Sequence, residues 1–82
     1  MRKYRIGIGF DKKAEEELKN LKKFMDTYSP FEKIKLEKCP LSLVVSTSKY
    51  AYLSTTELAN NINSLMKTFN YPVSKVLVFD YN

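Results

Sequence analysis

Residues 4–10 alternate strictly: Tyr4, Ile6, Ile8 and Phe10 are apolar, while Arg5, Gly7 and Gly9 between them are basic or small. That period of two belongs to a β-strand, because successive side chains on a strand point to opposite faces. One face of this strand is apolar and must be covered. The other is nearly bare, and a bare glycine face lets another surface come close to the backbone. Cover follows at once in the chain. Asp11 stands at an N-cap position, and Ala14, Leu18, Leu21, Met25 and Tyr28 recur at the spacing of one helical stripe, widened by Phe24. With 82 residues the chain has room for one domain, which buries about 60% of its unfolded surface. Everything downstream therefore has to pack on this first strand–helix unit.

Ser29-Pro30 ends the helix, since the residue before a proline avoids helical backbone. Residues 31–38 set Ile34 and Leu36 against Lys33, Lys35 and Glu37, the pattern of an edge strand with one wet face. Cys39-Pro40 interrupts it, and residues 41–46 follow as a buried central strand, with Leu41, Leu43 and Val45 on one side and Ser42, Val44 and Ser46 on the other. Residues 46–53 fit a longer strand, a short extra strand or an ordered loop. Ser54 with Glu57 three positions on is a capping box, so a second helix starts there. Its stripe is Leu58, Ile62, Leu65, Met66 and Phe69, with Asn60, Asn61, Asn63 and Lys67 facing out. Asn70-Tyr71-Pro72 ends that helix, and residues 73–81 form a last strand that is apolar on both faces: Val76 and Val78 on one, Leu77, Phe79 and Tyr81 on the other. Either set can be the buried one.

The order β-α-β-β-α-β predicts an α+β fold of the ferredoxin-like kind, a single domain with four antiparallel strands and both helices on one face of the sheet. In that topology the last strand lies beside the first. Leu77, Phe79 or Tyr81 then comes over Gly7 and Gly9, as aromatics cover strand glycines.

Composition limits the chemistry. The sequence has no histidine and a single cysteine. Histidine-based nucleophile activation and histidine–zinc sites are therefore excluded, and an intrachain disulfide is impossible. Cys39, before a proline at a strand end, reads as a partly buried structural thiol. Gly7-x-Gly9 lacks the third glycine of a dinucleotide fingerprint, Lys12 holding that position, and reads as strand packing. The acidic run Glu15, Glu16, Glu17 suits the positive end of a helix dipole, and consecutive helical positions do not converge on a metal. No cofactor is implied. No apolar run approaches the about 18 residues of a membrane span, and neither a signal peptide nor a disulfide framework is visible, so a cytoplasmic setting is expected. The net charge of +5 favours acidic partners through long-range attraction.

Two resemblances attach to particular residues. Met1-Arg2-Lys3-Tyr4, the strand after it and the acidic-then-basic helix resemble the opening of bacterial ribosomal small-subunit protein six, which implies a ferredoxin-like RNA-binding protein. Arg5-Ile6-Gly7-Ile8-Gly9-Phe10-Asp11, the first helix, Leu41-Ser42-Leu43-Val44 and the helix from Thr55 are similar to one lobe of a two-histidine phosphoesterase. In that family each lobe carries a histidine two residues before a Ser or Thr and a Leu. Here Ser42-Leu43 matches the tail of the motif, Pro40 stands in the histidine's place and a second lobe is missing, so the resemblance implies the fold without the catalysis.

Three kinds of function fit these features. A protein-interaction module, without catalysis, would use the uncovered apolar face of the last strand (Leu77, Phe79, Tyr81) with Tyr50 and Tyr52 as aromatic anchors, for a protein partner, a nucleoprotein complex or a homodimer seam. Such a chain suits the small inhibitors that phages and mobile elements make against host defence systems, anti-CRISPR proteins among them. A binder of RNA or single-stranded DNA with little sequence specificity would use Arg5, Lys33, Lys35 and Lys75 along the open sheet, whose first and third strands supply no stacking aromatics. An enzyme would have to use carboxylates such as Asp11, Glu37 or Asp80 with a divalent ion, and nothing clusters them in sequence.

Overall fold

The computed structural model describes residues 1–8, 14–28, 31–70 and 75–81. Its elements are β1 (Arg2–Ile8), α1 (Ala14–Tyr28), β2 (Lys33–Lys38), β3 (Leu41–Thr47), α2 (Thr55–Thr68) and β4 (Val76–Asp80). The four strands pair antiparallel in the order β2-β3-β1-β4, the ferredoxin-like α+β layout expected from the sequence. Gly9, Phe10, the Asp11 cap, Ser29-Pro30, Tyr71-Pro72, the start of the last strand and the side chain of Tyr28 lie outside the described residues.

Register explains the layers. β1 sets Tyr4 against Val45 and Ile6 against Leu43, and on its other side Ile6 against Val78 and Ile8 against Val76. Directly opposed residues share a face, so the apolar alternation of β1 dictates which side of both neighbours turns inward. On that side Leu18, Leu21, Phe24 and Met25 of α1 and Leu58, Ile62 and Met66 of α2 close the core. A fully buried Val, Leu or Ile side chain stabilises the fold by about 1.5–3 kcal/mol relative to exposure, so the parity is firmly held. For β4 the inward set is Val76 and Val78, while Leu77 and Phe79 are 49% and 54% exposed.

The segment after β3 is an ordered loop. Thr47 closes the strand, and residues 48–53 turn twice, with Ala51 N–H donating to the Ser48 carbonyl and Leu53 N–H to that of Tyr50. Ser54 then caps α2, its hydroxyl accepting from Glu57 N–H while the Glu57 carboxylate accepts from Ser54 N–H.

Three expectations are corrected. Cys39 is exposed in the turn between β2 and β3, next to a cis peptide bond to Pro40; the strand ends at Lys38, which leaves Cys39 outside the sheet. Asn63 does not face out. It is half-buried against β4, where its carboxamide binds both the N–H and the carbonyl of Val76. At Gly7 no aromatic cover forms: Leu77 is its register partner, and a Cβ built on Gly7 would meet nothing within 4 Å among the described residues.

Candidate protein-binding face

The sheet face away from the helices is assembled from the outward parity of all four strands. Lys33, Ser46 and Lys3 form one row, and Lys35, Val44, Arg5 and Phe79 the next. Glu37 and Ser42, with Gly7 and Leu77 beyond them, make the third. Its centre is small-residue β3, yet Ser42, Val44 and Ser46 are buried at 2%, 9% and 4% exposure, roofed by longer side chains from the strands on either side.

Arg5 covers the Ser42 end. From β1 its Nη1 reaches across β3, donating to Ser42 Oγ at 2.7 Å and to Glu37 Oε1 on β2 at 3.1 Å. The guanidinium also lies 4.9 Å from the Tyr81 ring centre, and Lys3 Nζ lies 5.7 Å from the same ring, both within cation–π range. The Arg5 charge is thus already matched by a carboxylate and an aromatic ring. The face divides accordingly: exposed Lys33 and Lys35 on the β2 side, and Leu77, Phe79 and Tyr81 on the β4 side.

The other expected anchors separate. Tyr50 is half-buried, its ring packed edge-on against Phe31 at 6.1 Å, so it belongs to the core margin. Tyr52 is 77% exposed. Its loop is latched to the end of the sheet where β4 finishes, because Arg2 Nη1 donates to the carbonyls of Ala51 and Leu53 while Nη2 pairs with Asp80 Oδ1 at 2.7 Å. Lys75 stands apart from the lysines of the open face, lining a shallow depression beside α2 with Asn60, Asn63 and Lys67.

Tyr4 completes the latch. Its buried hydroxyl donates to the Leu53 carbonyl at 2.6 Å, with the Tyr50 carbonyl at 3.1 Å, and the Arg2 guanidinium lies 4.6 Å from its ring centre. Burial pushes the Tyr4 phenol above its ordinary pKa, the Asp80 hydrogen bond raises that of Arg2, and the Ser54 N–H lowers that of Glu57. Sequence reasoning missed the Arg2 and Asn63 contacts. Arg2 carried a signal, being a basic residue on the parity of Tyr4 and Ile6, where a buried partner must exist. Asn63 carried one only by adjacency to the stripe residue Ile62.

Of the carboxylates considered for an enzyme, Glu37 on β2 is bound to Arg5 and Asp80 on β4 to Arg2, on opposite edges of the sheet, and Asp11 lies outside the described residues. Among the described residues no three histidine, cysteine or carboxylate side chains gather as metal ligands, and no helix is long and apolar enough to cross a membrane. No family model, curated protein or solved structure matches the chain.

Proposed function

We propose that this chain is a non-catalytic protein-interaction module that binds its partner through the β4 side of the open sheet face. The supporting observation is the pair Leu77 and Phe79, about half exposed on a strand whose other face packs Val76 and Val78 into the core, with Tyr81 beside them and Tyr52 at the same end of the sheet. Apolar and aromatic side chains grouped on an otherwise charged surface favour a partner that removes them from water. A small basic module without a catalytic constellation suits an inhibitor made by a phage or mobile element against a host defence system, in the manner of anti-CRISPR proteins. Such an inhibitor would act by occupying a surface of a cytoplasmic protein or nucleoprotein complex.

The test is Phe79→Ser, followed by thermal unfolding and by binding to partners captured from host lysate with and without nuclease. The expected result is normal folding with association weakened by about 1–3 kcal/mol. A normally folded variant that binds the captured partner as the parent does would overturn the reading.

A second reading has its own observation. Lys33 and Lys35 are exposed on the same face as Phe79 and Tyr81, across β3 and β1 from them, and a face that carries both basic and aromatic side chains is of the kind single-stranded nucleic acid uses. Such binding would be insensitive to sequence and steeply salt-dependent. Joint replacement of Arg5, Lys33 and Lys35 by alanine would abolish it and flatten the salt slope.

A further inference from the structure

We infer that the β4 edge is a self-pairing surface, in which two copies of the chain join their β4 strands antiparallel about a two-fold axis at Phe79. The inference goes beyond the partner reading and stands without it, since no foreign molecule enters.

The argument begins with which peptide groups leave the sheet. Tyr81 N–H donates to the Lys3 carbonyl, so Lys3 and Tyr81 are a hydrogen-bonded pair. Because such pairs alternate in an antiparallel ladder, Phe79 with Arg5 and Leu77 with Gly7 bond to β1 as well. The N–H and carbonyl groups of Val76, Val78 and Asp80 therefore point off the open edge. At Val76 both are taken: Asn63 Oδ1 accepts from its N–H at 3.0 Å, and Asn63 Nδ2 donates to its carbonyl at 3.4 Å. That carboxamide acts as a one-residue strand and closes the edge there. Among the described residues no such clamp covers Val78 or Asp80.

A clamp in that place selects a register. Keeping the helices of both copies on the same side of a joined sheet requires odd residues to face odd and even to face even. A two-fold at Val78 or at Leu77 would use the outward groups of Val76 and displace Asn63. A two-fold at Phe79 leaves Asn63 alone and pairs Val78 with the second copy's Asp80, and Asp80 with its Val78, closing four peptide hydrogen bonds. On the open face it sets the two Phe79 rings side by side and each Leu77 opposite a Tyr81, joining the two apolar strips into one. On the helix side, the second copy's Asp80 comes to the edge of the groove lined by Thr55, Thr56 and Val78, its carboxylate keeping the ion pair with that copy's own Arg2. A longer foreign strand would run into the Asn63 clamp. The short, self-complementary match from Val78 to Tyr81 is what a second copy supplies.

The test uses engineered cysteines in the full chain carrying Cys39→Ser. In the inferred register the Phe79 positions face each other as a non-hydrogen-bonded pair, with Cβ atoms about 4.5 Å apart, near the about 3.5–4.5 Å of a disulfide. Phe79→Cys should be trapped as a covalent dimer under mild oxidation, and Leu77→Cys, which faces Tyr81 of the other copy, should remain largely reduced. The Cys39→Ser parent should show a dimer fraction in sedimentation that grows with concentration, and Phe79→Lys, which opposes two charges at the axis, should sediment as monomer and melt as the parent does at concentrations low enough for the parent to be monomeric. Preferential trapping of Leu77→Cys, equal trapping of both, or trapping of neither beside a parent that stays monomeric at hundreds of micromolar would overturn the inference.

Discussion

The sheet has two edges, and they are finished in opposite ways. β2 carries Lys33, Lys35, Glu37 and Lys38 around its two half-buried apolar residues, and charges of this kind keep an edge from pairing with other chains. β4, of sequence VLVFD, has no charge until Asp80 and holds Leu77 and Phe79 half exposed. Both edges are equally free to be lysine-rich, because neither outward parity contributes to the core. Leaving one edge apolar costs solubility and gains little for folding, since about half of Leu77 and Phe79 stays in water, and that asymmetry directs attention to β4 as the side that meets another molecule.

The strongest way to break the comparison is to make β4 resemble β2. The double change Leu77→Lys with Phe79→Lys should cost association about 3 kcal/mol or more, as loss of central anchors does. Thermal unfolding should move by only about 0.5 kcal/mol per site, the usual range for surface changes. Calorimetric titration against the captured partner, run beside melting curves, reads both. Undiminished binding would return the function to the lysine half of the face.

Next in size is the latch at the end of β1 and β4, which has a weaker counterpart on the β2 side. There Glu32 accepts from Ser48 N–H at 2.7 Å in an exposed setting. At the other end the Tyr4 hydroxyl is buried against the Leu53 carbonyl. Tyr4→Phe removes one of that carbonyl's two donors, Arg2 Nη1 keeping the other, and should cost about 0.5–1.5 kcal/mol, whereas Glu32→Gln exchanges a solvated contact and should cost under about 0.5 kcal/mol. The pH dependence has a definite sign. Burial raises the Tyr4 pKa in the fold, so around and above the ordinary tyrosine value of about 10 the unfolded chain loses the proton first. The stability this phenol contributes is intact below that pH and is lost as pH rises through the folded value. Denaturant melts between neutral and strongly alkaline pH should show the decline in the parent and a shallower one in Tyr4→Phe; equal slopes would contradict it.

What the sequence makes legible follows from how local each signal is. The α2 start is written in Ser54 and Glu57, four neighbouring residues whose reciprocal hydrogen bonds need nothing else. The face of β1 is written in its own alternation. The buried side of β4 is not, because Val76-Leu77-Val78-Phe79 is apolar on both parities and only pairing with Ile6 and Ile8 chooses between them. Tyr50 and Tyr52 look alike in sequence, yet the turns at residues 48–53 send one ring to Phe31 and the other to solvent. Asn63 acquires its role from a strand thirteen residues later, a contact that helical periodicity cannot carry.

The smallest effect belongs to Cys39, at the end of β2 and across the sheet from the β4 strip. Its thiol is exposed in a turn, so replacing it removes neither packing nor a buried hydrogen bond, and Cys39→Ser should alter stability by no more than about 0.5 kcal/mol. Association should be equally indifferent, with and without reductant, because the anchors lie on the opposite edge. The measurement is the same pair of melting and titration experiments, and its value lies in the contrast with the lysine double change. If a folded Cys39→Ser protein lost its partner while the β4 variants kept theirs, the functional edge would be β2, and the lysines there would have to be read as contacts rather than as protection.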